Sequence, residues 1–169
     1  MNPTPFLAPL TLVGSLVRLE PLAPEHTDDL VQAASDGALW TLWFTSVPAP
    51  QAMPAYVSDA LAMQAAGTAL PFIVRRASDG RIVGCTRLCN ADPKNRRVEI
   101  GYTWYSASVQ RSGLNTEAKL LLLQHAFETL DCIAVELRTH HLNHTSRRAI
   151  ERLGARLDGI LRHHQRLTD

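Results

Sequence analysis

Near residue 110 the hydrophobic period of the chain changes from two to about 3.6, and a short run of small and polar residues separates the two regimes. Before it, Leu70 to Arg75, Arg81 to Leu88 and Arg97 to Tyr105 read as strands. Ser78-Asp79-Gly80 marks a hairpin, and Asn90 to Asn95 marks a second turn. After it, Ala118, Leu121, Leu122, His125, Ala126 and Phe127 recur at helical spacing through Leu130. Three consecutive antiparallel strands that feed a long helix restrict the chain to an α/β or α+β domain.

The flanking segments extend that pattern. Val13 to Leu19 alternates as a first strand, which Pro21 and Pro24 interrupt. Glu25 to Ala34 and Ala52 to Ala66 have helical spacing, with the aromatic cluster Trp40, Trp43 and Phe44 between them. Cys132 to Leu137 reads as a short strand, Ser146 to Leu153 as a helix stopped at Gly154, and Arg156 to about Gln165 as a last strand. The order is β-α-α-β-β-β-α-β-α-β, and 169 residues suit one domain over 1–169. The last strand would have an open edge, which either a further strand or a partner would cover.

Composition excludes several functions. Seventeen Lys and Arg against sixteen Asp and Glu give a net charge of +1, so no basic field draws nucleic acid. The N-terminus shows no cationic region leading into an apolar run, and no stretch is long and apolar enough to span a membrane, so a cytoplasmic protein is expected. Cys85 and Cys89 fall on one face of a strand and read as buried side chains rather than ligands or a disulfide. His140, His141, His144, His163 and His164 lack carboxylate or thiolate companions at ligand spacing, and no metal is expected.

The segment Gln110-Arg111-Ser112-Gly113-Leu114-Asn115-Thr116 lies where a strand passes into the long helix. Small residues there let successive N–H groups converge on an anion, and the helix start adds its own unpaired donors. Asn115 suits a left-handed conformation, Thr116 suits an N-cap, and Lys119 is placed to neutralise phosphate. An ordinary strand-to-helix turn with a surface lysine is the other reading.

This segment resembles the acyl-CoA pyrophosphate loop of the GNAT superfamily, with Gln110, Gly113 and Asn115 at the patterned positions. Asn115 departs from the usual Gly or Ala, but Asn115-Thr116-Glu117-Ala118-Lys119 is similar to the form in the branch of ribosomal-protein N-terminal acetyltransferases. Glu99-Ile100-Gly101-Tyr102 resembles that branch's fourth strand, and Asn143 to Ala155 its fifth-strand-to-fourth-helix segment. The resemblance covers nearly the whole chain. It implies a mixed, strongly twisted sheet, flanked by helices and splayed between its fourth and fifth strands. It also implies that the usual last strand is lacking here.

The same resemblance implies acetyl transfer from acetyl-CoA to a primary amine, by direct attack in a ternary complex and without a metal. The acceptor is a protein N-terminus or a small-molecule amine. Gln110, Arg111, Ser112, Gly113, Leu114, Asn115 and Thr116 would hold the pyrophosphate. Backbone groups from Tyr102 to Trp104 would polarise the thioester. The N–H groups of Ala107 to Val109 would meet the pantetheine amides, and Asn143 the pantetheine arm, although Asn143 also suits an N-cap.

Glu99 has two readings: a proton acceptor for the attacking amine, or a carboxylate paired with Arg97 or facing solvent. Ser146 would lie near the thioester sulfur. The family's thiolate-protonating tyrosine falls at Ile150, which leaves solvent, Ser146 or Tyr102 to supply the proton. Trp40, Trp43 and Tyr56 line the acceptor cleft or pack the first helices. A homodimer is implied by the family. A longer acyl donor, or an acyl-CoA sensor without catalysis, are the competing functions.

Overall fold

The computed structural model describes residues 5–165. Its elements are β1 (Leu12–Val13), β2 (Val17–Pro21), α1 (Thr27–Ser35), α2 (Met53–Ala65), β3 (Ala69–Arg76), β4 (Ile82–Asp92), β5 (Arg97–Tyr105), α3 (Leu114–Gln124), β6 (Ala134–Glu136) and α4 (His144–Glu151). The strands form one mixed sheet in sequential order. All neighbours are antiparallel except β5 and β6, which run parallel with α3 in the crossover between them. This is the α+β architecture expected, a twisted sheet flanked by helices.

Helices cover the sheet from both sides, which explains why Ala69 to Val74 of β3 and Ile82 to Cys89 of β4 are continuously buried rather than alternating. On one face Leu19, Leu70, Phe72, Val74, Leu88, Val98 and Ile100 pack against Leu114, Ala118 and Leu122 of α3. On the other, Ile73, Ile82, Cys85 and Trp104 pack against Leu30, Ala33 and Ala34 of α1 and Met53, Val57 and Ala60 of α2. Burying both faces anchors β4 and β5, the strands that carry the candidate site.

Two expected strands differ from the observed chain path. Val13 to Leu19 is not one strand but the tight β1–β2 hairpin, in which Gly14 N–H donates to the Val17 carbonyl at 2.8 Å. Local alternation survives such a turn, so periodicity alone does not reveal it. The strand expected over Arg156 to Gln165 is absent. Residues 155–165 are irregular, and Leu157, Ile160 and Leu161 are 64%, 63% and 62% exposed. No strand among the described residues offers them a ladder, so their alternation has nothing to pair with.

Helix α3 ends in a π-turn over His125–Thr129, where Leu130 N–H reaches the His125 carbonyl at 3.0 Å. No helix among the described residues is long and apolar enough to cross a membrane.

Candidate functional site

Strand β5 is regular at its start and broken in its middle. The register passes from Cys85 opposite Trp104 to Arg87 opposite Gly101, so Tyr102 and Thr103 together face Thr86. Two residues against one make a bulge. Tyr102 takes a φ of 52° there, a left-handed conformation that side chains other than Gly, Asn and Asp seldom adopt. Strain of this kind persists only where the surroundings over-determine it.

On the other side, β5 is held only briefly. Arg97, Val98 and Glu99 pair with Ala134, Val135 and Glu136, and beyond Glu99 the two strands separate. Among the described residues the edge of β5 from Ile100 to Tyr105 therefore has no ladder partner on the β6 side, which leaves an opening between the two strands. This is the splay that the resemblance implied.

The segment after β5 leads from the opening to the start of α3. Ala107–Val109 forms a single 3₁₀ turn. Its N–H groups, expected to meet the pantetheine amides, are each paired within the protein. Ala107 donates to the Asp36 carbonyl at 2.9 Å, Ser108 to the Asp36 carboxylate at 3.3 Å, and Val109 to the Ser106 carbonyl at 3.2 Å. Gln110 turns its amide inward, with Nε2 donating to the Tyr105 carbonyl at 2.9 Å.

The left-handed residue of this loop is Arg111, with φ 59°, not Asn115, which is helical. The N-cap is Gly113, not Thr116, because the helix begins three residues earlier than its apolar stripe suggests. Thr116 instead accepts a hydrogen bond from Arg152 Nη2 at 3.2 Å, tying α4 to α3. Leu114 N–H meets Ser112 Oγ at 3.4 Å. Among the described residues, the N–H groups of Arg111, Ser112, Gly113, Asn115 and Thr116 have no partner. Five backbone donors without partners thus lie in and just before the first turn of α3, at its positive end.

Lys119 overturns a second expectation. It is buried rather than at the loop surface, and its Nζ donates to Thr103 Oγ1 at 2.6 Å. Thr103 Oγ1 lies 2.8 Å from Thr86 Oγ1, so the lysine ends a short polar chain beneath the bulge. Burial without a carboxylate partner pushes its pKa down to about 7.

Glu99 is buried, at 8% exposure, which removes the solvent-facing reading. Its partner is Arg138 of the segment after β6, at 3.3 Å, and its Oε2 accepts from Asn90 Nδ2 at 2.9 Å. Arg97 pairs instead with Asp92 and Glu136. Adjoining Glu99 on the same sheet face are Cys89, directly opposite, and Gly101, whose added Cβ would stand 3.3 Å from both Glu99 Oε1 and Cys89 Sγ. Burial lifts the Cys89 thiol to about 12 and the Cys85 thiol to about 11, so neither is a ready nucleophile.

The remaining expected residues divide between this cleft and its rim. Tyr56 lies over Cys85, hydroxyl to sulfur 3.1 Å, and accepts the Trp104 indole N–H at 3.4 Å. Burial raises the Tyr56 phenol well above its usual range. Trp40 packs half-buried on the α1–α2 core, whereas Trp43 is 60% exposed and meets Phe44 and His140 edge-on. Asn143 caps α4, its Oδ1 accepting from Ser146 N–H at 3.0 Å, and Ser146 is half-buried in that first turn. No group of three His, Cys, Asp or Glu among the described residues is arranged to hold a metal.

Residues 17–156 match the family described as acetyltransferase (GNAT) domain. The chain belongs to the GNAT acetyltransferase family. It is similar in structure to a GCN5-related N-acetyltransferase from Brucella melitensis, 30% identical with a TM-score of 0.83, over 98% of this chain and 75% of that one. RimL, a ribosomal L7/L12 alpha-N-protein acetyltransferase, shares the fold at 17% identity and a TM-score of 0.83, over 95% and 88% of the two chains. YdaF of Bacillus subtilis strain 168, by its name a candidate ribosomal N-acetyltransferase, is 36% identical over 84 residues. That match spans 50% of this chain and 45% of YdaF.

Sequence reasoning misplaced one residue near the site of this GNAT chain and missed another. Lys119 looked like a surface charge beside the loop. Arg87 is a lone charge within the otherwise apolar run Ile82 to Cys89, and that incongruity was the available signal.

Proposed function

We propose that the chain takes acetyl-CoA into the opening between β5 and β6 and transfers its acetyl group to a primary amine. The observation that carries this reading is the continuity of two features. The unpaired edge of β5 leads directly to the five unpartnered N–H donors that begin α3. The edge suits an extended arm bearing amides, and the donors suit a pyrophosphate. Family membership supports acetyl-CoA as the donor.

Direct attack in a ternary complex fits the available side chains. An amine attacks only when neutral, and Glu99, buried on the β5 face beside the bulge, is the carboxylate suited to take its proton. The N–H groups of the bulge, from Tyr102 to Trp104, would stabilise charge that develops on the thioester oxygen. Ile150 offers no proton to the departing thiolate, and Ser146, Tyr102 or solvent would do so. Asn143 retains its side-chain amide donors for the pantetheine arm while its oxygen caps α4. Trp40, Trp43 and Tyr56 border the acceptor side.

The acceptor is a protein N-terminal amine or a small-molecule amine, and the similarity to YdaF, a candidate ribosomal N-acetyltransferase, favours the first. On this reading the protein acts in the cytoplasm as a homodimer, which size-exclusion chromatography with light scattering tests. Thiol release from acetyl-CoA, screened over peptide N-termini, amino acids, polyamines and aminoglycosides, tests the activity itself. Release that depends on one amine class supports transfer and names the acceptor. Acetyl-CoA binding without release from any of them favours a sensor.

A further inference from the structure

Arg87 is 3% exposed, yet among the described residues it pairs with no carboxylate. Its guanidinium carbon lies 4.7 Å from the ring centroid of Tyr56 and 4.1 Å from that of Tyr102. Among the described residues its side chain makes one polar contact, from Nη1 to the Met63 sulfur at 3.4 Å. Among those residues Nε and Nη2 have no partner, and neither is fully sealed from solvent. Two aromatic rings cover the guanidinium, and two of its three nitrogens are left without a protein partner among the described residues.

A buried arginine is ordinarily matched by an acid, because an unpaired buried charge is costly. The aromatic contacts offset part of that cost, and they also immobilise the plane of the guanidinium. A fixed, open guanidinium edge is complementary to a carboxylate that approaches in the same plane.

Its position gives that carboxylate a context. Arg87 is opposite Gly101 and Glu99 is opposite Cys89, so Arg87 and Glu99 are diagonal neighbours on one face of β4–β5. Diagonal positions lie roughly 7–8 Å apart. The two do not pair with each other; Glu99 is held by Arg138. Arg87 and Glu99 thus rise from neighbouring positions of the sheet, near enough for one small molecule, or one residue and its neighbour, to meet both side chains.

We propose that Arg87 is a specificity-determining residue that binds a carboxylate on the acceptor, so that the acceptor is an amine carrying a nearby carboxylate. This rests on the acetyl-transfer reading for its amine half only. The carboxylate belongs either to a free amino acid or to an acidic side chain next to a peptide N-terminus.

The test compares matched acceptors that differ only in charge: β-alanine with β-alaninamide, and Ala-Asp-Ala-Ala amide with Ala-Asn-Ala-Ala amide. Calorimetric titration into the coenzyme A-loaded protein should show at least about tenfold tighter binding of the carboxylate member of one pair. Which pair responds separates the free amino acid from the acidic peptide. In Arg87→Gln that preference should fall to near unity. Arg87→Lys, which keeps the charge without the planar fork, should retain only part of it. Coenzyme A affinity and thermal melting of each variant show that the fold is intact.

Equal binding within both pairs by the unmutated protein, or a preference that survives in Arg87→Gln, overturns the proposal. Thiol release on the same pairs separates the two readings. Selective binding without release removes the acetyl-transfer reading and leaves the carboxylate site standing. Release without any carboxylate preference does the reverse.

Discussion

The Glu117 carboxylate accepts both the backbone N–H and the hydroxyl of Ser15, 102 residues earlier in the chain, at 3.0 and 2.6 Å. It also accepts the N–H groups of Leu16 at 2.6 Å and Val17 at 2.9 Å. One acid in the first turn of α3 thereby closes the β1–β2 hairpin, whose own turn residues lack other partners for these donors. The hairpin in turn backs the loop: a Cβ on Gly113 would lie 2.9 Å from Leu16 Cδ1.

Glu117→Gln keeps the size of the side chain but replaces one acceptor oxygen with a donor. It is expected to lower stability by about 2 kcal/mol, read as a lower midpoint in denaturant. The pH dependence has a definite sign. Burial would raise the Glu117 pKa, but the hydrogen bonds from Ser15, Leu16 and Val17 outweigh it and hold the pKa below the usual value. Its stabilisation is therefore complete above the unfolded pKa and is lost as pH falls through the folded one. The variant should lose less stability than the parent between pH 5 and 3. Equal acid sensitivity of the two would exclude this role.

Lys119 gives a dependence in the alkaline direction. Burial lowers its pKa from 10.5 to about 7, so between those values the unfolded chain holds more protons than the folded one. Stability contributed by this group rises with pH across that window. The raised cysteines act in the opposite sense only above their unfolded value of 9.0. From pH 7 to 9 the gain is on the order of 2 kcal/mol, and Lys119→Met should remove it. Denaturant melts at pH 7, 8 and 9 measure this directly, and a parent protein with no rise over that range would contradict it.

Glu99→Gln tests the proton acceptor. Turnover with any accepted amine should fall by about 10²- to 10³-fold, with acetyl-CoA affinity nearly unchanged. Steady-state kinetics and equilibrium binding of acetyl-CoA separate the two effects. Unchanged turnover at every pH would leave Glu99 only as the partner of Arg138 and Asn90.

The sequence by itself determined the alternation from Leu70 to Tyr105, the helical stripe that follows and the small-residue loop between them. These are local signals, because side-chain direction follows from strand or helix geometry within a few residues. They were sufficient for the fold class, for the splayed sheet through resemblance, and for a loop leading into α3, although the helix already begins at Leu114.

What tertiary structure decided depends on residues far apart in the chain. Glu117 reads as an ordinary first-turn acid until Ser15 is brought to it. Lys119 reads as surface charge until α3 is rotated onto β5 and its amine meets Thr103. Glu99 takes Arg138 rather than the nearby Arg97 because β6 pairs with β5 as far as Glu99 and so brings Arg138, two residues past its end, within reach. Arg87 becomes an unpaired cation only once α2 places Tyr56 over it and the β5 bulge turns Tyr102 toward it. Periodicity reports which face a side chain takes, whereas partners and desolvation set its charge and chemistry, and those are fixed only by packing.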